Sequence, residues 1–61
     1  MPNLTTKELS GIEDQLKSEK NLICKCNLYA AKTNDLALKT KFEEVAQKHQ
    51  HHYDQLFSLL G

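Results

Sequence analysis

The sequence predicts an all-α protein, an antiparallel two-helix hairpin that dimerises into a four-helix bundle. Three observations predict it. Helix breakers are scarce, with one proline (Pro2) and two glycines (Gly11, Gly61), and β-branched residues are few. Apolar residues recur in alternating steps of three and four along two long segments. A single group of turn formers, Thr33, Asn34 and Asp35, separates those segments.

The first helix is expected over residues 5–33. Thr5 is its N-cap and Glu8, three positions on, completes a capping box, while Leu4 and Leu9 form a hydrophobic staple. Gly11 within the first turns weakens this helix by about 1 kcal/mol. A turn at 34–35 follows, with N-cap chemistry for a second helix over 36–60 that stops at Gly61. Residues 1–61 therefore form one helical-hairpin domain. A chain of 61 residues buries only about 60% of its unfolded surface. Further support from a metal, a disulfide or a second subunit is expected.

Spacing assigns the inner faces. In the first helix Leu9, Ile12, Leu16, Ile23, Cys26, Ala30 and Thr33 form a seam whose missing member is Glu19. In the second, Leu38, Phe42, Val45, Leu56 and Leu59 form a seam whose missing members are His49 and His52. The stretch "KHQHHYDQL" thus sends His49 and His52 inward and His51 outward. In an antiparallel hairpin, residues at one level have numbers with a constant sum, here about 69 from Thr33 opposite Leu36. Glu19 then falls between His49 and His52, about 1.5–3 Å from each along the axis.

Glu19, His49 and His52 are the candidate metal ligands, because imidazole and carboxylate suit a divalent metal such as zinc or iron. The competing reading is a dry, hydrogen-bonded Glu–His cluster that fixes helix register. A second apolar stripe flanks the seams, with Leu22 and Tyr29 on one helix and Ala46, Tyr53 and Leu60 on the other. One hairpin cannot cover both stripes, so a second copy of the chain is the expected partner. A dyad at mid-length would bring both polar bands together.

Other function classes are disfavoured. Lysines balance acids at eight each and lie interspersed with them, so there is no basic stripe for nucleic acid. No apolar run reaches the roughly 18 residues of a membrane span, and the opening "MPNLTTKELS" has no apolar stretch, which argues against a signal peptide, so synthesis in the cytoplasm is expected. Cys24 and Cys26 point about 200° apart on a helix, and their spacing fits neither an internal disulfide nor a zinc pair. They read as two reduced thiols, Cys26 packed and Cys24 exposed. No nucleophile motif or phosphate-cradling glycine loop is present, which favours a structural protein over an enzyme.

The segment "EKNLICKCNLYAAKTNDLALKTKFEEVAQKHQHHYDQLFSLL" resembles half of a ferritin-like or rubrerythrin-like bundle. That resemblance aligns Glu19 with the glutamate of the family's first helix. Phe42, Ala46, His49, His52 and Leu56 follow the cadence of its second helix, with His52 as the family histidine. His49 stands where the family has a bridging glutamate, a departure that counts against ferroxidase chemistry. Over nearly its full length, opening "NLTTKEL" and "EDQL", the chain also resembles short spore-coat proteins of endospore-forming Firmicutes, the coat F-like group. The resemblance implies a structural or assembly protein of the spore coat, partnered by itself and by other coat proteins. The alternative it leaves is a ferritin-like iron-binding oxidoreductase or metal carrier.

Overall fold

A computed structural model describes residues 3–61 and consists of two helices, α1 (Thr6–Lys32) and α2 (Leu36–Ser58), packed side by side as a hairpin. Its Cα envelope measures 47 × 14 × 10 Å, one helix pair wide and a single layer deep. The expected domain starts at residue 1, and residues 1 and 2 lie outside the described part.

α1 begins as its sequence dictates. Thr5 is extended; its hydroxyl accepts from the Glu8 amide at 3.1 Å, and the Glu8 carboxylate accepts from the Thr5 amide at 3.0 Å. Two of the amide donors that the helix start leaves without partners are thereby satisfied. Those same Thr5 hydrogen bonds, the backbone one first, hold the Glu8 carboxyl below the usual range against a small opposing effect of burial.

The turn uses side chains in place of missing helical partners. The Thr33 amide still donates to the Tyr29 carbonyl, then the chain extends. The Asp35 carboxylate accepts from the Ala37 and Leu38 amides at 2.9 and 3.1 Å, capping α2, while the Asp35 amide donates to the Thr33 hydroxyl. α2 ends at Ser58, two residues short of the expected 60. The Leu59 and Leu60 amides reach back three residues, to Leu56 and Phe57, and Gly61 adopts a positive φ of 123°. The tighter turn satisfies carbonyls that would otherwise lack a partner at the helix end.

Burial follows the expected seam on α1. Leu16, Glu19, Cys26 and Ala30 are buried, and Ile12, Ile23 and Thr33 are half-buried; Leu9, near the open end, is exposed. On α2 the seam is rotated. The inward line is Phe42, Ala46, His49, Tyr53, Leu56 and Leu60, with Ala46 only 6% exposed. Leu38, Val45 and Leu59, expected inside, are exposed. Phe42, His49 and Leu56 belong to both lines. The lines differ by one residue at the alternate positions, and the methyl of Ala46 lets α2 approach α1 more closely than the branched Val45 would.

Candidate metal centre

The only buried charged residue among those described is Glu19, in the middle of α1 with 6% of its surface exposed. Each of its oxygens is engaged. Oε2 lies 2.6 Å from His49 Nδ1, and since a carboxylate oxygen only accepts, the imidazole nitrogen carries the proton. Oε1 accepts from the Gln15 amide at 3.2 Å, one turn earlier on the same helix. The His49 hydrogen bond is the main reason the Glu19 carboxyl sits below the usual range. Burial opposes it, and Gln15 and the two imidazoles add to it.

His49 is partly buried, with 24% of its side chain exposed, and it reaches Glu19 across the helix pair. His52, one turn on, presents its ring edge-on to His49, with centroids 5.8 Å apart. Its Nδ1 stands 3.9 Å from Glu19 Oε1, too long for a hydrogen bond, and 46% of its side chain is exposed. The rotation of α2 explains the difference. His49 lies on both seam lines, whereas His52 lies on the outer one and stands at the rim. His51 is exposed, as expected.

One donor atom from each of Glu19, His49 and His52 lies within 4.8 Å of the others. Two ligands on one tetrahedral zinc stand about 3.3 Å apart, given metal–ligand bonds of about 2.0–2.1 Å. The triad is therefore open by at most about 1.5 Å, and His52, with 46% of its side chain exposed, is its least enclosed member. A metal bound through His49 Nδ1 would take the place of the proton now shared with Glu19. On the His52 side, a shallow groove lined by Glu19, His52, Gln55, Leu56 and Leu59 opens from the triad.

Residues outside the triad carry packing rather than chemistry. Tyr29 leans on Phe42 at 5.4 Å, and Tyr53 stacks on Phe57 at 6.1 Å. Cys26 is buried and Cys24 exposed, both as free thiols. The outer pair Lys41–Glu44, at 3.9 Å with both side chains largely exposed, is a solvated helix-face contact. Gln15 is the one residue of the site that the spacing argument misses. A carboxamide four residues before a buried glutamate is the signal that could have found it.

No protein-family model, curated protein or solved structure matches this chain. Among the described residues, no helix is long and apolar enough to cross a membrane.

Proposed function

We propose that this chain is a small structural protein, a helical hairpin that pairs with a second copy into an antiparallel four-helix bundle and holds a divalent metal on Glu19, His49 and His52. The observation that carries it is the convergence of three donor atoms within 4.8 Å from two helices, around a carboxylate buried in a chain with little other interior. A carboxylate and two imidazoles are a common zinc donor set. Each chain brings a single carboxylate to the site, whereas two irons cycling with oxygen need bridging carboxylates. Zinc is therefore favoured over iron, and a structural role over a redox one. The sequence's likeness to short coat F-like proteins supports an assembly role in the spore coat beside other coat proteins.

The test is metal analysis of protein purified without added metal or a histidine tag, with thermal midpoints at pH 7.5 before and after chelation. The expected result is about one zinc per chain, a lower midpoint after its removal, and recovery when zinc is returned. An unchanged midpoint in protein shown to have lost its metal would leave Glu19 and His49 as a register-setting hydrogen bond only.

A further inference from the structure

The hairpin has two broad faces, and they differ in kind. One carries a groove lined by Ile23, Asn27, Glu43, Ala46, Gln47 and Gln50, mostly amide and charge. The other carries Leu22 and Tyr29 from α1 and Leu38, Val45 and Leu59 from α2, each between 38 and 49% exposed. These residues repeat every seven positions, so each helix contributes one stripe that winds by only about 20° per heptad. His52 completes the α2 stripe, in the position between Val45 and Leu59. The groove that opens from the triad lies on this apolar face.

We infer that a second copy of the chain docks on this apolar face, and that docking and metal binding at Glu19, His49 and His52 are thermodynamically coupled through His52. The inference rests on the proposed metal site. Three features favour a second copy as the occupant. The face spans 47 × 14 Å between Cα atoms, which with side chains added is on the order of the 800 Å² per partner of a stable dimer. A twofold interface must be self-complementary, and a face whose α2 stripe is apolar at every member but His52 meets that condition without needing opposite charges. His52 also lies within about one helical turn of the stripe's midpoint, so a twofold axis crossing there brings both copies' sites under the interface.

The coupling follows from what docking does to His52. In a lone hairpin its ring is half-exposed and water satisfies it, since Glu19 is too far for a hydrogen bond. Docking would remove that water and leave a polar ring buried without a partner, which is unfavourable. A metal ligated by His52 supplies the missing partner. The interface in turn excludes water from the metal and limits the rotamers of His52. Each event removes an obstacle to the other, so each must tighten the other by the same factor.

The experiment is sedimentation of the full chain over a range of concentrations, with chelator and with zinc, beside zinc affinity measured by competition with a chromophoric chelator. Zinc is expected to tighten dimerisation by about 5–150-fold. Leu38→Lys, about 21 Å along α2 from His52, should weaken the dimer and lower zinc affinity, although it touches no ligand. Leu59→Gln is a second such variant, with circular dichroism confirming that each remains helical. Zinc bound tightly by a chain that stays monomeric, or a dimer indifferent to bound zinc, would overturn the coupling and leave the metal site standing. Failure to bind zinc at any concentration would overturn both.

Discussion

α1 turns four residues fully inward, Leu16, Glu19, Cys26 and Ala30, whereas α2 buries Ala46 alone and leaves His49, Tyr53 and Leu56 half covered. The helices are of similar length and packed on each other, so the asymmetry comes from how their apolar residues are arranged. α1 keeps most of them on one line, with Leu22, Leu28 and Tyr29 outside it. α2 spreads them over two, Phe42–Ala46–His49–Tyr53 facing its partner and Leu38–Val45–His52–Leu59 facing out. The candidate metal donors divide the same way. The carboxylate is on the helix that is firmly seated, and the imidazoles are on the helix with a second face to offer. Glu19 is thereby a fixed anchor, while His52 is free to adjust.

The sharpest way to break that comparison is at neighbouring positions of α2. Ala46→Leu forces extra volume between the helices and should destabilise the hairpin by about 1–3 kcal/mol in urea unfolding. Val45→Leu, on the outer line, should change stability by less than about 0.5 kcal/mol at concentrations where the chain is monomeric. Equal costs at both positions would restore the unrotated seam.

The histidines sharpen it further. Zinc affinity should fall at least about tenfold in His49→Ala and in His52→Ala and stay unchanged in His51→Ala. A ligand's loss is direct, and His51 faces away. In the metal-free chain the ranking changes, because only His49 hydrogen-bonds to Glu19. There His49→Ala should lower the thermal midpoint, with His52→Ala closer to His51→Ala. A metal-free midpoint lowered as much by His52→Ala as by His49→Ala would show that both rings are seated alike.

Acid gives the smallest and most specific effect. The Glu19 carboxyl is depressed, chiefly by the His49 hydrogen bond. Its contribution is therefore full above the ordinary carboxylate pKa of about 4.3 and is lost as pH falls through the lower folded value. Glu8 has the same sign through its capping bonds. The midpoint of metal-free protein should thus fall below about pH 4.3, less steeply in Glu19→Gln and, separately, in Glu8→Gln. An acid slope unaltered by Glu19→Gln would show that its pairing with His49 contributes nothing.

Much of this architecture was legible because local chemistry and periodicity agree. The capping box at Thr5 and Glu8, the turn at Thr33–Asp35 and the α1 seam each rest on residues with few alternatives. The meeting of Glu19 with His49 followed from the spacing that faces both inward and the turn that sets their level. The α2 face was harder, since Phe42, His49 and Leu56 fit two lines equally well and periodicity cannot choose between them. What decides is size. By the register that pairs Glu19 with His49, Ala46 lies at about the level of Ile23, and its small side chain allows a close approach that Val45 would block. The end of α2 was overrun by two residues because nothing in "LFSLLG" competes with helix until the final glycine.

The connection between the helices runs only from Thr33 to Asp35, where the Thr33 hydroxyl accepts from the Asp35 amide and the Asp35 carboxylate caps α2. A surface loop is normally where a protein's length can drift without harm. Here one inserted residue must either bulge out of a turn held by the Thr33 and Asp35 hydrogen bonds or carry α2 around by about 100°. The second course would take His49 away from Glu19, and both histidines off the side of the hairpin they share. The shortest segment of the molecule is therefore its gauge, and the one where insertions and deletions should be tolerated least.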